Sequence, residues 1–186
     1  MFKKTLLTLA IFSCFLNCNL VFCQDSIPSP VQEIAAYEFE IDRKHGDDYS
    51  TFSLEEGGVL VLLQSNKFLK GGEQLFGFTL LDTNLKEVWI KNYRLDNRLE
   101  IIEYFRAKNA FYFLLKKNNY DYTTVRLNLS DGSINLIPHK KILNLNVSHY
   151  KVLNDIIFMG GKVDNQPVVL HFDYQNDQTK VLASVQ

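Results

Sequence analysis

A pattern of short apolar segments recurs along most of this chain, and it restricts the possible folds more than any other feature. In residues 57–93 an apolar run is followed by a polar loop, an alternating segment, a tight turn and a final apolar segment. Two looser copies follow, and they are offset from each other by 45 residues, which matches Phe111 with Ile156 and Leu127 with Phe172. The first unit fits at slightly larger offsets because its loop is longer. Alternation with a period of two predicts half-buried strands, and the Asn, Asp and Gly clusters between them predict hairpin turns. The chain is therefore predicted to be all-β, with tandem four-stranded antiparallel units.

The units lie at about residues 51–95, 100–140 and 145–186. Fourteen Phe and nine Tyr favour strands over helices. An unbroken apolar run such as Val59 to Leu63 is expected where a strand is covered on both faces. Before the first unit, residues 24–50 are predicted to form an extended leader with one possible strand at Ile34 to Ile41, where aromatic and acidic residues alternate.

A repeat period in the forties with four strands per unit is typical of propeller proteins. The chain from about Phe52 to Val185 resembles three degenerate β-propeller blades. Within it, LLDTNLKEVW (Leu80 to Trp89) resembles the blade ending of quinoprotein-like propellers, in which a Leu-Asp-x-x-x-Gly-Lys turn leads to a tryptophan. Leu85 stands where that family has glycine, and the other two units lack the tryptophan. The resemblance implies an architecture and no particular substrate.

Three blades leave two apolar faces without a neighbour, because closed propellers have about four to eight blades. Such faces favour assembly or aggregation. They are covered if the propeller continues in a longer reading frame, if two chains form a six-bladed ring, or if the sheets close differently as a β-sandwich or barrel. The strand predicted at Ile34 to Ile41 is a candidate cover for one of the faces.

The N-terminus has the organisation of a secretory signal peptide. Lys3 and Lys4 precede an apolar core from Leu6 to Leu16, and cleavage is expected near Cys23, before Gln24. The apolar run falls short of the roughly 20 residues that span a bilayer. Residues 1–23 are therefore predicted to be removed, which places the remaining chain outside the cell or in the cell envelope without a membrane span.

All three cysteines, Cys14, Cys18 and Cys23, lie in the segment predicted to be cleaved. The mature chain would then have no cysteine for a disulfide, a nucleophile or a thiolate metal site. Lipid attachment at Cys18 or Cys23 is the alternative, but Asn17 and Phe22 are poor residues immediately before an acylated cysteine.

The formal charge of the chain is −1, and it becomes −3 when Lys3 and Lys4 are removed. This balance offers no basic patch for nucleic acid. We therefore expect no nucleic-acid partner.

His171 and Asp173 are weak candidates for a metal site, because side chains at i and i+2 project from one face of a strand. Arg126 and Asn128 occupy the equivalent positions of the second unit, so a simple polar strand face explains the pattern equally. No cofactor is expected.

Catalytic motifs such as Gly-x-Ser-x-Gly or His-Glu-x-x-His are absent from the sequence. Trp89, Tyr120 and Tyr122 are candidate partner-binding residues, and Trp89 is also expected to pack between units. The resulting hypothesis is an exported, non-enzymatic binding or scaffold module that acts through protein–protein contacts or self-assembly. The alternatives are an extracellular carbohydrate-binding or hydrolytic propeller and an inactive fragment of a larger propeller.

Overall fold

The computed structural model describes residues 36–39, 46–67, 69–118, 120–139, 144–176 and 178–183. Within these ranges the chain forms three four-stranded antiparallel sheets, each made of consecutive strands that pair in chain order. This confirms the predicted all-β fold of tandem units and is consistent with a partial propeller. The predicted signal peptide and most of the predicted leader lie outside the described residues. None of the helical structure in the described part is long and apolar enough to cross a membrane.

The strands of the first sheet are β1 (Asp48–Ser53), β2 (Val59–Gln64), β3 (Glu73–Leu81) and β4 (Glu87–Asp96). Those of the second are β5 (Glu100–Arg106), β6 (Ala110–Asn118), β7 (Asp121–Asn128) and β8 (Ile134–His139). Those of the third are β9 (Asn146–Leu153), β10 (Ile156–Val163), β11 (Gln166–Asp173) and β12 (Gln178–Ala183). A short 3-10 helix, Glu55–Gly57, connects β1 to β2.

Strand β6 explains why the sheets stack. Phe111 and Phe113 point to the first sheet, while Tyr112 and Leu114 point to the third, and all four are at most 2% exposed. A strand with covered faces on both sides needs an apolar residue at every position, and this is why the run AFYFLL shows no alternation. The second sheet is thus the middle layer of the three.

Two apolar cores result from this stacking. The first core lies between the first and second sheets and includes Leu60, Phe76, Phe78, Phe111, Phe113 and Leu127. The second core lies between the second and third sheets and includes Tyr112, Leu114, Tyr150, Ile157, Met159 and Phe172. Burial of apolar area contributes about 25 cal/mol per Å², so these two cores carry most of the stabilisation.

The chain enters the first sheet earlier than the sequence predicts. Strand β1 begins at Asp48, inside the segment predicted to be the extended leader. The Asp47 carboxylate accepts hydrogen bonds from Ser65 Oγ (2.8 Å) and from the backbone N–H of Asn66 (3.1 Å). These two bonds align the start of β1 with the end of β2, and no local pattern announces such a contact.

The predicted strand at Ile34 to Ile41 is not a strand over its described residues, 36–39, and its other residues lie outside the described part. Within residues 36–39, Tyr37 OH donates a hydrogen bond to Glu87 Oε2 at 3.2 Å. The ring of Phe39 lies 5.3 Å from the ring of Tyr49. This short segment therefore contacts the first sheet at β1 and β4.

The turn between β3 and β4 shows why the quinoprotein-like blade pattern has glycine at the position of Leu85. Leu85 has a φ of 58°, in the left-handed region that residues with a Cβ adopt at a cost. Asp82 Oδ1 accepts hydrogen bonds from the backbone N–H groups of Asn84 (2.8 Å) and Lys86 (2.9 Å). Those bonds hold the turn in spite of the strain at Leu85.

The outward face of the third sheet is open. Phe158 and His171 lie on this face and are half-buried, and Val169 is 39% exposed. The opposite face of the same sheet carries the Tyr150, Ile157 and Met159 side chains of the second core. The third sheet is therefore covered on one face only, whereas the second sheet is covered on both faces.

Candidate functional site

A groove of about 510 Å³ lies between the first and second sheets, beside their first strands β1 and β5. Its lining combines apolar and polar side chains, among them Phe52, Tyr104, Asp48, Ser50, Gln64 and Glu103. The volume falls within the range of about 300 to 1,000 Å³ that is typical of small-molecule sites. We call this feature the inner groove.

Tyr104 presents one side of its aromatic ring to the inner groove. Its ring is stacked on Phe111, with centroids 5.7 Å apart and an interplanar angle of 22°, and it meets Phe52 edge-on at 4.8 Å. Phe52 in turn packs against Phe111 at 4.9 Å. Tyr104 nevertheless remains 55% exposed, so one surface of a rigidly supported ring is open to solvent.

An irregularity in β5 places these side chains. The register of β5 against β6 shifts between Ile101 and Glu103, so that one extra residue fits into β5. After the shift Tyr104 pairs with Phe113, whose side chain belongs to the first core. The bulge therefore turns Tyr104 toward the first sheet.

The polar lining of the inner groove is acidic. Asp48 pairs with Gln64 across β1 and β2, and Ser50 and Glu103 line the same groove. No Lys, Arg or His is among the described residues that line it. The nearby Arg106 is engaged elsewhere, because its guanidinium donates to the carbonyl of Leu54 at 2.6 Å and lies 3.6 Å from Glu55 Oε1.

Carboxylates, an amide and a hydroxyl beside an exposed ring offer several hydrogen-bond acceptors and a few donors. An aromatic ring packs against an apolar surface, and the polar groups beside it fix the orientation of the ligand. The inner groove can thus hold a molecule that has one apolar face and hydroxyl groups along its edge.

The structure places His171 and Asp173 on β11 of the third sheet, and neither residue lines the inner groove. The His171 ring meets Phe158 edge-on at 5.4 Å. The side chain of Asn176 donates to Asp173 Oδ2 at 2.8 Å, and the backbone N–H groups of Gln175 (3.1 Å) and Asn176 (3.2 Å) donate to Asp173 Oδ1. These bonds, the one from the Asn176 side chain above all, lower the pKa of Asp173. Asp173 is thus a turn-capping residue. No group of three or more His, Cys, Asp or Glu suited to a metal ion occurs among the described residues.

The three predicted partner-binding aromatics lie in different environments. Trp89 packs against the first core, and its Nε1 donates to the Leu129 carbonyl at 3.0 Å. Tyr122 is 2% exposed and donates to the carbonyl of Leu145, so its side chain is an internal one. Tyr120 is 57% exposed and lies just before β7. A role of Tyr120 in binding a partner stays a prediction.

A buried polar network connects the second and third sheets. Thr124 Oγ1 lies 2.8 Å from His139 Nε2 and 3.2 Å from the hydroxyl of Tyr150. His139 is 2% exposed, and burial lowers its pKa to about 4. Its Nδ1 has no hydrogen-bond partner among the described residues. His139 is the last residue of β8, and its ring meets the ring of Phe172 edge-on at 4.5 Å.

A second polar cluster lies at the other end of the same two sheets. The Tyr112 hydroxyl donates to Asp155 Oδ1 at 3.2 Å and accepts from Arg126 Nε at 3.2 Å. Tyr174 OH donates to the same Asp155 oxygen at 2.9 Å, and burial together with this carboxylate raises the pKa of Tyr174. These contacts join β6 and β7 to the β9–β10 turn.

Sequence reasoning missed Asp48, Glu103 and Tyr104. The local sequence around each of them does not show which side chains face another sheet. The aromatic pair Tyr104 and Phe105, flanked by the charged residues Glu103 and Arg106, was the available signal. It did not show which ring would be exposed, because that depends on the bulge.

No protein-family model matches the chain, and none of the curated proteins does. Among solved structures it is similar to a chimera of ACO and RPE65 (TM-score 0.43, 12% identity, 67% of this chain and 34% of that chain). It is also similar to cobalt-substituted apocarotenoid oxygenase from Synechocystis (TM-score 0.45, 11% identity, 73% and 37%). The chain thus spans about a third of the length of these structures.

These matches contradict the hypothesis of a non-enzymatic binding or scaffold module, because the solved structures concerned are oxygenases and hence enzymes. That hypothesis is withdrawn. At this identity and this TM-score the similarity transfers neither a substrate nor a reaction to the chain. The predicted protein partner or self-association and the expected absence of a nucleic-acid partner stay predictions.

Proposed function

We propose that this chain is an exported partial β-propeller that holds a saccharide, as ligand or substrate, in the inner groove. The observation that carries the proposal is the supported, half-exposed ring of Tyr104 beside Asp48, Gln64 and Glu103. The three parts of the proposal, namely the propeller, the export and the saccharide, rest on separate observations.

The propeller assignment is supported by the order of the strands. Each sheet pairs in chain order from its first to its fourth strand, as blades do. The first strands also approach one another, since β1 and β5 line one groove and β5 contacts β9. A central channel lined by first strands would follow from this arrangement, with the inner groove opening into it.

Export is supported by the N-terminal sequence alone. Lys3 and Lys4 precede an apolar stretch, and all cysteines fall before Gln24. Expression of the full-length chain, followed by mass spectrometry of the product, tests this part. An N-terminus at or near Gln24 is expected, whereas a lipid-modified Cys18 or Cys23 would indicate a lipoprotein and an intact N-terminus would overturn export.

A saccharide suits the inner groove because a sugar ring has both an apolar face and a rim of hydroxyls. The apolar face would stack on Tyr104, while Asp48 and Glu103 accept hydrogen bonds from hydroxyls and Gln64 both accepts and donates. The acidic lining disfavours an anionic ligand. A cation over the Tyr104 ring is the competing ligand class, and the test below separates the two.

The two carboxylates favour a second candidate function, hydrolysis of the bound saccharide. Glycoside hydrolysis generally uses a pair of Asp or Glu residues, and Asp48 and Glu103 line the same groove. Release of reducing ends from the bound oligosaccharide would establish it, provided that Glu103→Gln removes the release while binding persists. Binding without turnover leaves the saccharide proposal in place and excludes hydrolysis.

Titration calorimetry with cellotetraose, chitotetraose and maltotetraose tests the binding site. Tyr104→Ala should weaken the affinity for the bound oligosaccharide at least tenfold, whereas Tyr104→Phe should retain most of it. Tyr120→Ala is the matched control, because Tyr120 is equally exposed (57% against 55%) but lies outside the groove. Equal losses in both alanine variants, or binding of tetramethylammonium in place of all three sugars, would overturn the proposal.

A further inference from the structure

The open face of the third sheet contains a second cavity, of about 520 Å³, which is separate from the inner groove. It lies over strands β9, β10 and β11, and the residues that matter for its chemistry are His149, Lys151, Phe158, Gly160, Lys162 and Val169. Its size again falls within the range of about 300 to 1,000 Å³ for small-molecule sites. We call it the outer groove.

The outer groove exists because a glycine interrupts a row of side chains. In the strand register Gly160 pairs with His149 on one side and Val169 on the other. The adjacent row consists of Lys151, Phe158 and His171. Since Gly160 has no side chain, the space between the two rows stays empty, and the exposed backbone forms its floor.

A side chain at Gly160 would fit without a backbone clash. A Cβ there would meet only the side chain of His149, at 3.4 Å, and the φ of Gly160 is not in the left-handed region. The neighbouring Gly161 differs, because a Cβ there would come within 2.1 Å of the Asn146 carbonyl oxygen. Gly161 is therefore required by the close approach of β9, whereas Gly160 is dispensable for the fold and leaves the groove open.

The charged side chains that line the outer groove are positive. Lys151 and Lys162 line it together with His149, and no Asp or Glu is among the described residues that do so. The remaining lining is mostly apolar and includes Phe158 and Val169, with Ser148 as a polar neutral residue. An apolar cavity with two ammonium groups at its edge is complementary to a molecule with an apolar body and an anionic head.

A second copy of the chain fits this surface poorly. A two-fold interface would bring the same patch of both subunits together, and each would contribute Lys151 and Lys162. Like charges placed opposite each other at an interface are unfavourable. The charge pattern therefore favours an anionic small molecule over self-pairing.

We propose that the outer groove binds an aliphatic carboxylate, whose chain lies across Gly160 against Phe158 and Val169 and whose carboxylate pairs with Lys151 or Lys162. The outer groove is independent of the inner groove, because it lies on another sheet and is lined by lysines instead of carboxylates. Either proposal can fail without the other.

The test uses the full-length chain as processed by the producing cell, and the probes are decanoate, decanol and decylamine below their critical micelle concentrations. Titration calorimetry should rank decanoate above decanol by tenfold or more, with decylamine binding most weakly. Backbone amide shifts in NMR spectra should change mainly in strands β9, β10 and β11 on addition of decanoate. Equal binding of the three probes, or shifts mainly in the first sheet, would overturn the proposal.

Three variants locate the site. Gly160→Leu fills the groove and should weaken decanoate binding at least tenfold, and Lys151→Gln removes one cation without filling space and should weaken it about five- to tenfold. Lys108→Gln, in the turn between β5 and β6, removes the same charge elsewhere and should leave the affinity unchanged. If Gly160→Leu instead abolishes a concentration-dependent dimer seen by light scattering while decanoate does not bind, the face is an interface between copies and the proposal is wrong.

Discussion

The indole Nε1 of Trp89 donates a hydrogen bond to the carbonyl oxygen of Leu129 at 3.0 Å, which ties the fourth strand of the first sheet to the turn after β7. Tyr93, on the same strand, donates to the Gly132 carbonyl at 2.6 Å. At the far end of β4, Asp96 contacts Lys117 Nζ at 2.8 Å, and its bonds to Arg98 and Lys117 hold its pKa well below the usual range. Strand β4 of the first sheet is therefore joined to the second sheet by specific polar contacts as well as by the first core.

Replacement of Trp89 should measure the strength of this connection. Trp89→Phe keeps an aromatic ring but leaves the Leu129 carbonyl without its donor, so we expect a loss of about 1 to 2 kcal/mol in the free energy of unfolding. Urea denaturation followed by far-UV circular dichroism provides the measurement. Tyr120→Phe, at an exposed position, should leave the midpoint unchanged, and an equal midpoint for Trp89→Phe would show that the bond contributes nothing.

The turn that receives Trp89 requires a glycine. Gly132 has a φ of 72°, and a Cβ there would lie 2.6 Å from Lys91 Cγ and 2.9 Å from Trp89 Cε3. Gly132→Ala should therefore cost about 2 kcal/mol or more, from backbone strain together with displacement of the indole. Gly71→Ala is the control, because Gly71 also has a positive φ (94°) but a Cβ there meets nothing within 4 Å. If both variants lose the same free energy of unfolding, the contact between residue 132 and Trp89 does not affect stability.

The buried His139 should make the stability of the fold depend on pH. Its pKa is about 4 in the folded state and about 6.5 when exposed, so between these values the unfolded chain binds more protons. Stability should be full above pH 6.5 and decline as the pH falls from 6.5 to about 4, by up to about 3 kcal/mol from this residue. His139→Gln should flatten the decline in urea midpoints measured at pH 7, 5.5 and 4.5.

A control variant at another histidine, His149, shows whether a change in pH dependence is specific to His139. His149 lies on the outward face of the third sheet and is exposed, so His149→Gln should retain the full pH dependence of the unmodified chain. If the three proteins lose stability in parallel between pH 7 and 4.5, then His139 is not the responsible group.

The cluster around Asp155 should couple the second and third sheets. Tyr112→Phe removes the hydroxyl that bridges Arg126 and Asp155 and should cost about 1 kcal/mol, since both partners can regain water. A double-mutant cycle with Asp155→Asn should give a coupling energy of about 0.5 to 1 kcal/mol. The same cycle with Asp121→Asn, at the opposite end of the sheet, should be additive. Additivity in both cycles would show that the bridge is not a coupled unit.

The strands themselves could be predicted to a large extent from local patterns. The run AFYFLL predicts a strand that is covered on both faces, and β6 does contribute side chains to both cores. The turn residues around Asp82 and Gly132 also lie where the strands reverse. Such features depend on side-chain alternation and turn chemistry over a few neighbours, so a single sequence carries them.

The candidate sites could not be predicted in the same way. Tyr104 is exposed in the inner groove because a bulge between Ile101 and Glu103 sets its direction. Gly160 opens the outer groove because it lies between His149 and Val169, its partners on the two neighbouring strands. His171 and Asp173, which the spacing suggested, serve in a ring contact and a turn cap. Tyr122, suggested as a surface residue, is internal.

The repeat of alternating and continuous apolar segments by itself determined an all-β chain of three four-stranded units. This follows because strand formation and hairpin turns depend on residues that are close in sequence. Tertiary structure alone decided that Trp89 bonds to Leu129, that His139 is buried beside Thr124, and that Tyr104 and Gly160 each border a cavity. Those outcomes depend on register, bulges and the stacking of one sheet on the next, which bring together residues tens of positions apart.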